Sequence, residues 1–164
     1  MVKNKFASLS TEFGKVFIFA ADAGVSRIVL GERELEQYLS SSGGGLGSNE
    51  DLTSQAAQEL GQYFAGERTT FTVKLDMSQG TDFQRSVWRE LIQIPFGSSI
   101  TYGGIAQKLR SPRAARAVGS AVGANPIPIV IPCHRVVGGN GLGGYSYGLD
   151  IKRGLLELEG VYNV

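Results

Sequence analysis

Apolar residues near the start of the chain concentrate in three short β-prone runs, Lys5 to Ser10, Val16 to Ala20 and Ser26 to Leu30. Phe13-Gly14 and Asp22-Ala-Gly24 punctuate them as turns, so the pattern predicts a β-meander. A glycine and serine cluster, Ser40 to Ser48, then interrupts the chain and reads as a surface loop. Beyond it Leu52, Ala56, Leu60 and Phe64 recur at four-residue steps up to Gly66, the signature of a helix, and Thr69 to Leu75 alternates like another strand.

After a polar connection at Met77 to Thr81 the period becomes helical. Thr81 and Gln84 form a capping box, Phe83, Val87, Trp88 and Leu91 form an apolar stripe, and Pro95-Phe-Gly97 ends the helix. Two further helices are predicted, Gly104 to Leu109 and Arg113 to Ala124, with Ser111-Pro112 between them and Pro112 suited to a first helical turn. The short joint allows a helix-turn-helix. In the second of these, Ala114, Ala115, Val118, Ala121 and Val122 fall on one face and Arg113, Arg116, Ala117, Ser120 and Ala124 on the other. A flat basic face of small residues lets a backbone approach a nucleic-acid groove, though an alanine-rich core helix solvated by its arginines has the same pattern. A closing helix is predicted over Ile151 to Gly160.

Composition narrows the class. The 164 residues are 42% hydrophobic and 19% charged, an ordinary globular balance. No apolar run reaches the roughly 18 residues of a membrane helix, and Val16 to Ala21 lacks a small-residue cleavage site, so an intracellular, cytoplasmic protein is expected. The net charge of +1 conceals a division. Residues 1–81 carry seven Lys and Arg against ten Asp and Glu, residues 82–164 nine against five, and Glu90 is the sole acid between Phe83 and Arg135. That excess suits a polyanion, or else a solvated helical surface.

One cysteine, Cys133, and one histidine, His134, exclude an internal disulfide and an ordinary His/Cys metal centre, so no structural metal is predicted. Three prolines break up Asn125-Pro-Ile-Pro-Ile-Val-Ile-Pro-Cys-His-Arg-Val-Val137, so Cys133 arrives on a non-helical approach. It is either a presented nucleophile, which needs a base or positive neighbour to form the thiolate, or an inert buried thiol. Direct contact with His134 is not required by adjacency; a turn or a bridging water would supply it. Six glycines in the eleven residues Gly138 to Gly148 let backbone approach a flat ligand or make a surface loop, and match no phosphate-binding fingerprint. Glu159, near a helix C-terminus, opposes the helix dipole unless it has a partner, for which His134 is the candidate.

From about Asp82 to Gly160 the chain resembles the O6-alkylguanine-DNA alkyltransferases (methylated-DNA-protein cysteine methyltransferases). The most specific stretch is Ile131-Pro-Cys-His-Arg-Val-Val137 behind Asn125-Pro-Ile-Pro128. Phe83-Gln84, Val87-Trp88, Thr101-Tyr102-Gly103, Pro112-Arg-Ala-Ala-Arg-Ala-Val-Gly119, Gly144-Tyr-Ser146, Leu155-Leu156 and Glu159-Gly160 support it. The first half resembles the family's variable N-terminal domain in length and layout. The resemblance implies an α+β protein: a ribonuclease H-like N-terminal domain, residues 1–78, with an antiparallel sheet and helices, and a C-terminal winged-helix domain, residues 79–164, carrying a helix-turn-helix.

It implies that Cys133 accepts an alkyl group from O6 of guanine, and secondarily O4 of thymine, once and irreversibly. His134, through a water, takes the thiol proton, Glu159 orients and charges the imidazole, and Asn125 ties the recognition helix to the active-site segment. Tyr102 is implied as proton donor and phosphate contact and Arg116 as the finger replacing a flipped nucleotide, with Arg113, Ala117 and Ser120 beside it on minor-groove DNA. Pro128, Val136, Tyr145 and Ser146 match positions around the base, and Lys152 a basic position of the closing helix with its role open. No cofactor, no membrane and a monomer are implied. Where the family often has Tyr-Ser-Gly-Gly, this chain has Tyr145-Ser146-Tyr147-Gly148, so a ring either narrows the pocket against bulky alkyl groups or points to solvent. The alternatives are a DNA-binding damage sensor on the same scaffold, which would not need the thiol of Cys133, and a cysteine hydrolase, which needs an oxyanion hole and turnover.

Overall fold

The computed structural model describes residues 6–41 and 48–164, which divide after Met77 into two compact units. In the first, β1 (Ala7–Thr11), β2 (Gly14–Ala21) and β3 (Gly24–Leu30) form an antiparallel meander in that order. Val16, Phe17, Ile18, Phe19 and Ala20 of β2 are all buried, because the sheet is covered on both faces. Phe17, Phe19 and Val29 pack with Leu35, Tyr38 and Leu39 of α1 (Glu32–Ser41), while α2 (Glu50–Phe64) lies against all three strands. Ser40 and Ser41 thus end a helix rather than begin a loop, and residues 42–47 of the expected loop lie outside the described residues.

Two expectations for this unit fail. The buried stripe of α2 is Thr53, Ala56, Leu60 and Tyr63, with Leu52 and Phe64 only half-buried, because strict four-residue steps drift about 40° each around a helix. Thr69 to Leu75 is not a strand. It makes one isolated parallel bridge, Val25 to Leu75, and the Thr72 and Val73 amides donate instead to the buried Glu59 carboxylate at 2.7 and 3.2 Å. A carboxylate that takes two consecutive amides removes them from any ladder. Burial pushes the Glu59 carboxyl up, but these amides together with the Gln55 and Thr72 side chains outweigh it and hold the group below the ordinary range.

The second unit is helical. α3 (Asp82–Ile92) starts at the Thr81–Gln84 capping box and buries Val87, Trp88 and Leu91. Phe83, expected in that stripe, is 37% exposed. The strands β4 (Ile100–Thr101) and β5 (Val136–Val137) pair in parallel over two residues. Directly after β4 comes α4 (Tyr102–Lys108), and then α5 (Ala115–Gly123), each a little displaced from its predicted span. α4 closes with Ser111 N donating to Ala106 O and Arg110 N to Gln107 O, a Schellman turn with Arg110 at φ 58° where glycine is usual. Pro112 and Arg113 therefore lie in a turn before α5, not in its first helical turn. Trp88 Nε1 donates to Ala121 O at 2.8 Å and joins α3 to α5. α6 (Leu149–Leu158) closes the unit and is capped by Glu159.

Candidate active site

Asn125 stands just past the end of α5. Its Nδ2 donates to Ile131 O at 2.8 Å and its Oδ1 accepts from Ile127 N at 3.0 Å, so one side chain closes the proline-rich segment into a compact loop. Within it Ile129, buried and β-branched, is held at φ 73°, while Val130 N donates to Pro128 O. A left-handed conformation there costs on the order of 1–3 kcal/mol, which Asn125 and the surrounding packing offset. The loop delivers Cys133 at the head of a short 3-10 turn, Cys133–Arg135, that runs into β5. Because β5 pairs with β4, the residue after β4, Tyr102, is brought beside the cysteine segment.

Cys133 lines a cavity of about 550 Å³. Its wall comes from Tyr102, from Ala115, Arg116, Gly119, Val122 and Gly123 on α5, from Asn125 and Pro128, and from Gly144, Tyr145, Ser146 and Tyr147. The sulfur is thus neither sealed away nor remote from the arginine-bearing helix, although the residue is only 6% exposed. Arg113, Arg116, Ala117 and Ser120 are exposed, and of these only Arg116 reaches the cavity wall. The glycine-rich loop is tied down: Ser146 Oγ donates to Gly123 O at 3.0 Å, and Gly144 N donates to the Tyr102 hydroxyl at 3.3 Å. A side chain at Gly143, at φ 73°, would press on the Tyr102 ring and hydroxyl. Tyr147 lines the cavity with its ring 6.0 Å from that of Tyr145.

Burial pushes the Cys133 thiol above its ordinary value, against the opposing effects of the Asn125 hydrogen bond, the Lys152 charge, its own backbone and Tyr145. The resting sulfur is therefore a thiol, and its use as a nucleophile requires a base. Behind it His134 is fully buried, with Nε2 and Glu159 Oε2 2.6 Å apart. An ionised carboxylate only accepts, so Nε2 donates and Nδ1 of the neutral ring keeps a lone pair. Nδ1 has no hydrogen-bond partner among the described residues. Burial pushes His134 below its ordinary value; Glu159 opposes this, and the charges of Arg135 and Lys152 add to it. The arrangement holds a neutral imidazole, not the charged one that the resemblance implies, because burial outweighs Glu159, and its acceptor nitrogen lies on the residue that follows the thiol.

Two family descriptions match the chain: the ribonuclease-like domain of 6-O-methylguanine DNA methyltransferase over residues 4–77 and the DNA-binding domain of the same family over residues 82–161. The chain belongs to this methyltransferase family. A methylated-DNA–protein-cysteine methyltransferase of Methanosarcina acetivorans is 54% identical over 113 residues, 68% of this chain and 72% of the relative. That of Mycolicibacterium paratuberculosis is 48% identical over 84% of this chain and 83% of its own. The crystal structure of Mycobacterium tuberculosis OGT in complex with DNA superposes with a TM-score of 0.83 at 38% identity, covering 97% of this chain and 96% of that one.

In this family member several residues sit elsewhere than sequence reasoning puts them. Val136 is fully buried behind the cavity wall and its carbonyl accepts from Lys152 Nζ at 2.6 Å. Lys152 is not on the wall either: it is fully buried and donates to the carbonyls of Val136, Leu142 and Gly144, pinning the glycine-rich loop from behind. Burial pushes it down to about 8, against the influence of Cys133. Arg135, counted above in the basic surface, is buried; its Nε and Nη2 donate to Glu159 Oε1 and Oε2 at 2.7 and 3.0 Å, and its Nη1 to Ile94 O at 2.7 Å. Glu159 therefore pairs with the Arg135 guanidinium as well as with the His134 ring, where the sequence suggested His134 alone. The signal was present: an arginine inside the apolar run Ile127 to Val137 is a misfit unless paired.

Proposed function

We propose that this chain is a methylated-DNA–protein-cysteine methyltransferase that reverses alkylation damage directly, moving an alkyl group from O6 of guanine, and secondarily O4 of thymine, to Cys133. The observation that carries this reading is the placement of the chain's one thiol in a cavity walled by the exposed arginine-bearing helix, with an imidazole–carboxylate pair behind it. A stacked base hides its O6 substituent, so the nucleotide is flipped into the cavity, with Arg116 filling its place and Arg113, Ala117 and Ser120 lying along the minor groove. The Cys133 S–H bond breaks and its proton passes through water to His134 Nδ1; the thiolate attacks the alkyl carbon; the C–O6 bond breaks and its electrons leave with guanine, which Tyr102 protonates; solvent then returns a proton to the Tyr102 phenolate and takes one from the imidazolium. Pro128, Tyr145 and Ser146 hold the base.

Atoms and electrons balance between thiol and lesion, so the reaction needs no cofactor. The product is a thioether, which water does not open, and each molecule reacts once. We place this activity in a monomer acting in the cytoplasm, at the nucleoid, or in the nucleus if the source is a eukaryote. Among the described residues no helix is long and apolar enough to cross a membrane.

Incubation with duplex DNA containing O6-methylguanine, followed by intact-protein mass and peptide mapping, tests the reading. A gain of one methyl on Cys133, at one per molecule, is expected. Tight binding with no mass change would make the chain a damage sensor, and repeated product release would make it a hydrolase.

Two substitutions refine it. Arg116→Ala is expected to slow transfer from duplex DNA by about 10- to 100-fold, the scale of a few kcal/mol of unstacking, while reaction with the free alkylated base is unchanged. An equal loss on both substrates, measured in parallel single-turnover assays, would remove the finger role. Tyr147→Gly is expected to raise the O6-benzylguanine rate relative to O6-methylguanine by about tenfold, since relieving an overpacked wall is worth on the order of 1–3 kcal/mol. An unchanged ratio would mean that the ring does not gate alkyl size.

A further inference from the structure

The carboxylate behind the histidine is shared. His134 Nε2 and Arg135 Nη2 converge on the same oxygen, Glu159 Oε2, at 2.6 and 3.0 Å, while Arg135 Nε holds Oε1 at 2.7 Å. All three side chains are buried. A buried carboxylate with an imidazole as its one cationic partner draws a proton onto that ring, whereas a carboxylate already balanced by a bidentate guanidinium has far less pull.

We propose that Arg135 is a positioning residue which, by claiming the charge of Glu159, keeps His134 neutral at rest and so able to accept the Cys133 proton. This rests on the reading of His134 as the base. When the thiol proton reaches Nδ1, the ring becomes imidazolium and Nε2 remains donated to Glu159, so the same carboxylate stabilises the product of the transfer. Arg135 is itself fixed by Nη1 to Ile94 O at 2.7 Å and by the Phe96 ring 5.8 Å away, which leaves the guanidinium little freedom to release the carboxylate. The other charged groups that act on the ring both come from the closing helix, Lys152 of α6 and Glu159 at its C-cap. α3, which also packs on this turn, buries Val87, Trp88 and Leu91, none of them charged. Gly97 N also donates to Oε1, at 3.4 Å, but carries no charge, so removing Arg135 changes the charge that Glu159 presents to the imidazole while thiol, base and carboxylate stay in place.

Two measurements on wild type, Arg135→Lys and Arg135→Gln test this. The chain has one histidine, so its ring proton resonance can be followed across pH without assignment. The pH dependence of single-turnover methyl transfer from methylated duplex gives the matching rate profile. The His134 midpoint and the acid limb of the rate are expected to move together to higher pH in the order wild type, Lys, Gln. The ratio of the rate at about pH 6 to that at about pH 8 is expected to fall roughly tenfold in Arg135→Gln, because a protonated ring cannot accept the thiol proton.

A purely structural role would lower the rate equally at every pH and leave the ring titration where it was, and that result overturns the proposal. Should Arg135→Gln not fold, Arg135→Lys decides alone: its single ammonium cannot occupy both oxygens, and an unmoved titration there is equally fatal. Wild-type protein that takes up no methyl at any pH would instead defeat the function assigned above, while the ring titration would still judge Arg135.

Discussion

Cys133→Ala is expected to take up no methyl from O6-methylguanine DNA and yet to bind that DNA with a Kd within about threefold of wild type, the scale of a substitution away from the residues that contact the partner. The chain has no second thiol. Lys152 Nζ, the amine whose charge acts on Cys133, is buried and spends its donors on three carbonyls, and the neutral hydroxyls on the cavity wall are weak nucleophiles. Binding survives because the DNA-facing surface does not depend on the sulfur. α5 is held by Trp88 Nε1 on Ala121 O, and the loop behind it by Asn125, both through backbone atoms. Intact mass and a fluorescence titration of labelled duplex, run on one preparation, check the two halves. A methylated Cys133→Ala protein would place the acceptor elsewhere; lost binding in a folded variant would mean that the thiol belongs to the binding surface.

Glu159→Ala is expected to destabilise the protein by about 3–5 kcal/mol, because it strands the Arg135 guanidinium without its carboxylate in a buried site. His134 loses its orienting partner in the same step, so transfer should fall with stability. The exposed pair of Lys15 and Glu32 is the control: it spans 3.7 Å with side chains 52% and 72% exposed, and Glu32→Ala should change stability by no more than about 1 kcal/mol. Denaturant midpoints at constant slope measure both. Equal small effects would show that the buried ion pair is energetically idle. In wild type the depressed His134 adds a pH signature. Unfolded histidine binds a proton near pH 6.5 and the buried ring does not, so its contribution is present above about pH 6.5 and is lost as pH falls toward the depressed folded value.

Local pattern made much of this molecule legible. The meander, the capping box at Thr81 and Gln84, the two-faced helix around Arg116 and the proline-broken approach to Cys133 all follow from side-chain period, turn chemistry and backbone restriction, which act over a few residues. So did the pairing of His134 with Glu159, because a carboxylate at a helix C-terminus needs a partner and the chain offers one histidine. Where local pattern misled, a distant group had intervened. Thr69 to Leu75 alternates like a strand, yet Glu59 takes its amides; Phe83 fits its helix stripe, yet remains partly in solvent.

Charge was least legible of all. Arg116, Arg135 and Lys152 look alike in a count, but one stands exposed on a cavity wall, one is bound to Glu159, and one is buried among carbonyls that hold the loop. The order of residues along the chain determined which side chains could do chemistry and where helices and turns begin. Burial and the identity of each cation's partner were decided by tertiary structure alone, because desolvation and Coulomb energy depend on what surrounds a group in space and not on its neighbours in sequence.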